Sequence, residues 1–117
     1  MKVYISGPIS NRSLGEAAEH FCKNEKVFMD AGHTVINPIR MVPYGLTWAT
    51  YMKIARTILG SGEINVILML RGWRESCGAR FEWIWANAAG IDVWYEEIDD
   101  IKEIREIAKK GLQGSVE

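Results

Sequence analysis

Glu82 lies inside a largely apolar stretch, Cys77 to Ala89, between Phe81 and Trp83. A single ionised carboxylate in such a setting can attack an anomeric carbon, giving a covalent glycosyl-enzyme in a retaining mechanism. It can equally serve as an ion-pair partner for Arg80 or Arg56. Ser76, Cys77 and Gly78 open the same stretch. A serine followed by two free amides caps a helix, and at the positive end of the helix dipole the same groups could hold a phosphate. Arg71 and Arg74 precede them and either bring charge to an anion or stay solvated. Trp73, between these arginines, could stack on a nucleobase or pack as a lid.

The elements that must carry these residues follow from the pattern around them. Val66 to Leu70 is an unbroken apolar run, as expected of a parallel strand covered on both faces. Arg71 to Ser76 is then a polar loop, and Cys77 to Ala89, closed by Gly90, suits a buried helix. In that helix Glu82 sits about one and a half turns from the amino end, close enough to face a ligand held there. Upstream, Lys2 to Ser6 reads as a first strand ending in the turn Ser6-Gly7-Pro8. Tyr4 on that strand either aims its hydroxyl into a crevice or buries it in the sheet.

The remaining elements complete an alternation. Ser13 and Glu16 form a capping-box pattern for a helix from about Leu14 to Ala31, with Ala17, Phe21 and Phe28 beside Ala18, Cys22 and Met29 at helical spacing. Thr34 to Ile36 is a short strand closed by Asn37-Pro38. Ile39 to Leu46 is a loop of a length that usually has a job. Thr47 to Leu59 is a second helix with an apolar stripe including Trp48, Tyr51 and Met52. Ile91 to Tyr95 is a fourth strand, Ile98, Ile101, Ile104 and Ile107 mark a last amphipathic helix, and Gln113 to Glu117 is a frayed tail. The sum, β-α-β-α-β-α-β-α, calls for a doubly wound, flavodoxin-like or Rossmann-like α/β fold. It predicts a parallel sheet of four or five strands, order 2-1-3-4, with helices on both faces. The switch point falls between strands one and three, so Ser6-Gly7-Pro8-Ile9 and Arg71 to Ser76 face each other across the binding crevice.

Bulk properties narrow the function. The chain of 117 residues makes one domain, and 14 Lys+Arg against 15 Asp+Glu exclude wholesale attraction to a nucleic-acid polymer or an anionic membrane. No apolar run approaches the roughly 20 residues of a membrane span, and Met1 leads straight into a strand, so a cytoplasmic protein is expected. Cys22 and Cys77, with His20 and His33, lack metal-ligand spacing, so no metal is expected, and the cysteines read as reduced, buried thiols. Neither cysteine has an arginine six positions on, which excludes a tyrosine-phosphatase loop. Ser6-Gly7-Pro8-Ile9 is neither a nucleotide-triphosphate loop nor a dinucleotide fingerprint.

Three features occur together: Tyr4-Ile5-Ser6-Gly7-Pro8-Ile9, Asn37-Pro38 closing strand two, and Gly72-Trp73-x-x-Ser76-x-Gly78-Ala79-x-x-Glu82 after strand three. The combination, over roughly Lys2 to Gly90, resembles the nucleoside 2-deoxyribosyltransferase-like superfamily, in particular a small uncharacterised branch found often in phages and bacteria. The resemblance implies that Glu82 is the nucleophile at C1′ and that Tyr4 positions or activates it. Ser76 matches the serine of members acting on 5′-monophosphates, which implies an N-glycosidase of deoxynucleoside 5′-monophosphates, without cofactor, in place of a nucleoside transferase. It also implies substrate contacts from Ser6, Gly7, Pro8, Ile9, Asn37, Gly72, Trp73, Ser76 and Gly78, and a homodimer or larger assembly that completes the site. One departure concerns the leaving group. The superfamily usually has an aspartate near the start of strand three, often with another in the preceding helix, where this chain has Glu63, Asn65 and Thr57. Either that acid is missing or Glu63 replaces it. Two other classes remain open at this point: a nucleotide-binding module without turnover, and a structural or partner-binding protein whose five tryptophans serve an interface.

Overall fold

A computed structural model of the chain describes residues 1–9 and 12–96. The expected last helix and tail lie outside the described residues. Four strands, β1 (Lys2–Ser6), β2 (Thr34–Ile36), β3 (Val66–Met69) and β4 (Asp92–Tyr95), form one sheet of order β2-β1-β3-β4. All neighbouring pairs are parallel, with Tyr4 opposite Ile67 and Ser6 opposite Met69. The helices α1 (Leu14–Asp30), α2 (Trp48–Leu59) and α3 (Cys77–Ala88) connect them. This is the doubly wound α/β arrangement that the alternation predicts.

Strand alternation sorts the core into two layers. Val3, Ile5, Val66, Leu68 and Leu70 face α1, where Ala17 and Phe21 meet them. Tyr4, Ile67 and Met69 face the opposite side, against Ala55 and Leu59 of α2 and Ala79 and Ala86 of α3. Ser6 shares the parity of Tyr4, so its side chain also rises toward α3. On α3 the buried positions are Ala79, Glu82 and Ala86, one stripe at helical spacing. Glu82 occupies a core position, and the fold drives its carboxylate into the layer that Tyr4 and Ser6 already face.

Each helix start is capped as the side chains require: Ser13 accepts from Glu16 N–H, Thr47 from Thr50 N–H and Ser76 from Ala79 N–H. The loop after β2 takes a tighter form than expected, a 3-10 segment over Pro38–Tyr44 begun by Asn37 and ended by Gly45 at positive φ. Cys22 and Cys77 are free and exposed, which corrects the expectation of buried thiols. The buried line on α1 runs Ala17, Phe21, Glu25, so Cys22 and Met29 fall beside it. Glu25 is accommodated in that line because Asn37 Nδ2 (3.2 Å) and the Arg40 guanidinium bond its carboxylate. Among the described residues no helix is long and apolar enough to cross a membrane.

Candidate active site

Two loops meet at the carboxyl ends of β1 and β3. Contact there is so close that a Cβ on Gly7 would stand 2.8 Å from Leu70 Cβ, and one on Gly72, which has φ +88°, would stand 3.3 Å from Pro8 Cγ. Gly78 allows a third approach, since its absent Cβ leaves room for Met52 Sδ at 3.3 Å and seats the first turn of α3 on α2. Between these elements opens a pocket of about 230 Å³ whose wall includes Gly7, Ile9, Tyr51, Ser76, Gly78 and Glu82. Its lining is mostly apolar with few polar groups, the general character of small-molecule sites.

Glu82 is only 4 % exposed, yet among the described residues it has no arginine partner. Arg56 lies over the Trp85 ring, 5.8 Å from its centroid, and Arg80 Nη1 donates to the Arg74 carbonyl at 2.6 Å. The ion-pair alternative is thereby removed. Instead Tyr4 Oη donates to Glu82 Oε2 at 2.5 Å and Ser6 Oγ donates to Oε1 at 2.6 Å. One hydroxyl on each carboxylate oxygen fixes the plane and rotamer of the group. Burial pushes the Glu82 carboxyl up to about 7, against the opposing pull of the Ser6 and Tyr4 hydrogen bonds. A carboxyl titrating near neutrality in a pocket wall is a mark of functional sites. Burial, then the Glu82 charge, holds the Tyr4 phenol well above its ordinary range, so Tyr4 stays a donor.

Ser76 accepts from Ala79 N–H at 3.2 Å and lies in the pocket wall with Gly78. The first amides of a helix have no partner within the helix, and those of α3 begin at this wall. Other expected residues go elsewhere. Trp73 is buried, stacks on Trp83 at 5.5 Å between centroids and contacts Tyr95, with Arg74 over its other neighbourhood at 5.1 Å. It is therefore the packing lid and not a base-stacking platform at this pocket. Asn37 is buried outside the pocket wall, with its side chain given to Ile39 N–H and Glu25. Glu63 pairs with Lys2 Nζ at 3.0 Å, and Asn65 Oδ1 accepts the Lys2 amide at 2.7 Å. Both stand at the amino ends of the strands, the edge of the sheet away from the pocket mouth. This corrects the expectation that Glu63 supplies an acid to a leaving group.

The model of the family described as domain of unknown function DUF4406 matches residues 1–95. The chain belongs to the DUF4406 family. No curated protein and no solved structure matches it. In this DUF4406 chain the sequence reasoning missed several site residues. Tyr51, Met52 and Trp48 of α2, with Met41, Val42 and Leu46 before it, enter the pocket wall. Their apolar stripe was visible, but which part of it faces a cavity depends on how α2 lies on the sheet. A second missed group braces the rim. Glu96 Oε1 accepts the Arg71 amide and a bond from His20 Nε2, both at 2.7 Å, and Asn24 donates to Oε2 at 3.3 Å. Arg12 joins His20 Nδ1 (2.8 Å) to the Pro8 carbonyl (3.1 Å). Burial raises the Glu96 carboxyl, but the Arg71 amide, His20 and Asn24 outweigh it and leave it below its usual value.

Proposed function

We propose that the chain cleaves, or exchanges, the N-glycosidic bond of a nucleoside or, preferably, a deoxynucleoside 5′-monophosphate, with Glu82 as nucleophile. The observation that carries this reading is the Glu82 carboxylate, buried at the pocket wall without a cation among the described residues and aimed by the Tyr4 and Ser6 hydroxyls. In the forward step a Glu82 oxygen bonds to C1′, the C1′–N bond breaks, and its electron pair leaves with the base. Water or a second base then attacks C1′ and returns the carboxylate. The two hydroxyls withhold some charge from the nucleophile in exchange for orientation. Ser76 and the amino end of α3 suit a 5′-phosphate. The sequence resemblance supports the same assignment of Glu82, Tyr4 and Ser76.

Leu46 and Trp48 line the pocket yet are 39 % and 54 % exposed, and Phe81 and Ile84 continue the apolar surface along α3. Trp48 meets Phe81 edge-on at 6.2 Å. We read this face as the one a second copy covers, closing the pocket, since exposed apolar patches beside a site mark protein contacts. The two free, exposed thiols fit a reducing, cytoplasmic setting. Incubating the protein with a panel of nucleosides and nucleoside monophosphates and following free base by chromatography tests the reaction. Base release supports it, while binding of a nucleotide without release shows a module without turnover.

A further inference from the structure

Resting on the glycosidic reading, we infer that Tyr51 is the side chain that meets the departing base, donating a hydrogen bond to a ring nitrogen or carbonyl oxygen of a heteroaromatic leaving group. Tyr51 sits one turn into α2, where Thr47 caps the helix and Met52 and Ala55 anchor it to the core. It belongs to two walls at once, the Glu82 pocket and an adjoining apolar cavity of about 170 Å³ that also contains Tyr4 and Ile58. Its ring is therefore held between them.

The two tyrosines of this region differ in one respect. Tyr4 Oη is committed to Glu82, whereas Tyr51 has no hydrogen bond to any described residue, although its ring lies within the electrostatic reach of Glu82. Tyr51 is half-buried in the wall of the pocket, so its hydroxyl is open to the cavity and available to a ligand atom that enters it. The polar side chains of the pocket wall are few: Glu82, Ser76, Tyr51 and the Trp48 indole. With Glu82 given to C1′ and Ser76 to the phosphate, Tyr51 is the hydroxyl left for the base. Ile5, Phe21, Met41 and Val42 line the same pocket and give it the apolar wall that suits a heteroaromatic ring. Burial and the Glu82 charge raise the Tyr51 phenol above its ordinary range, so it acts as a donor and keeps its proton. As the C1′–N bond breaks, the hydrogen bond disperses the charge growing on the base, and the departing base takes its proton from water.

The test compares two leaving groups on one sugar phosphate. A natural base leaves with developing negative charge and needs the donor; a pyridinium N-glycoside leaves as a neutral ring and does not. Tyr51→Phe keeps the ring and the packing, which a melting curve checks. The variant should lose about ten- to a hundredfold in kcat with the natural base and less than about threefold with the pyridinium substrate. Equal losses on both substrates, or a loss confined to KM, would assign Tyr51 to pocket shape and overturn the inference. A wild-type protein that releases base from neither substrate overturns the underlying glycosidic reading, an outcome recognised without the variant.

Discussion

If burial holds the Glu82 carboxyl near 7, its ionised form strains the fold, and removing the charge should stabilise the protein at alkaline pH. The folded-state value is raised from 4.5 to about 7. A raised carboxyl contributes stability that is fully present below about 4.5, where both states are protonated, and is lost as pH rises through about 7. Each pH unit of difference corresponds to about 1.4 kcal/mol, so ionising Glu82 costs the native state about 3 kcal/mol at pH 8 and well under 1 kcal/mol nearer 4.5. Glu82→Gln is neutral throughout and keeps the shape. One of the two hydroxyl contacts must reverse its direction, but that cost is the same at every pH. Urea unfolding of both proteins at pH 5 and pH 8 isolates the effect, because the difference between variant and wild type cancels the other titrating groups. The variant should gain about 2–3 kcal/mol relative to wild type between the two pH values, equivalent to roughly 10 °C in Tm for a domain of this size. A difference that is flat with pH, or that moves the opposite way, would refute the burial argument and with it the tuned carboxyl.

The same chemistry has kinetic consequences. Base release measured as kcat/KM should rise with pH to a plateau above about 7, and Tyr4→Phe or Ser6→Ala, each removing a bond that favours the ionised carboxylate, should move the midpoint upward by about one pH unit. Ser76→Ala should raise KM for a nucleoside monophosphate by about 10- to 150-fold while leaving the free nucleoside almost unchanged, with about 1 kcal/mol of stability lost from the cap; proportional loss on both substrates would leave Ser76 a cap alone. Gly7→Ala brings a Cβ to 2.8 Å from Leu70 Cβ, so it should lower stability by about 1–3 kcal/mol in thermal unfolding.

Period and turn chemistry made the fold legible in the sequence. The Val66–Leu70 run, the caps at Ser13, Thr47 and Ser76, and the glycines and prolines between elements each specify structure locally, and alternation then calls for a parallel doubly wound sheet, whose order β2-β1-β3-β4 is one of the two common ones. Tyr4 and Glu82 could be placed together because a strand end and a helix start at a switch point leave little freedom. Ser6 could be placed in the crevice, but its bond to Glu82 depends on side-chain parity combined with the rotation of α3. Glu63 was misplaced because proximity to β3 in sequence says nothing about which end of the strand it borders; its partner Lys2 decides that. Trp73 kept two readings until Trp83 and Tyr95 closed over it. Tyr51 and the His20–Glu96 brace join residues from distant segments, and no local pattern encodes such a meeting.

The central claim is a covalent bond between Glu82 and the sugar. Quenching the wild-type protein during turnover and mapping its peptides by mass spectrometry tests it most directly. The account predicts one added deoxyribosyl phosphate, located on the peptide at Glu82 and absent from Glu82→Gln, whose base release should fall by at least about a thousandfold, roughly 4 kcal/mol. Release of base at near wild-type rate by Glu82→Gln, or an adduct on another residue, would contradict it.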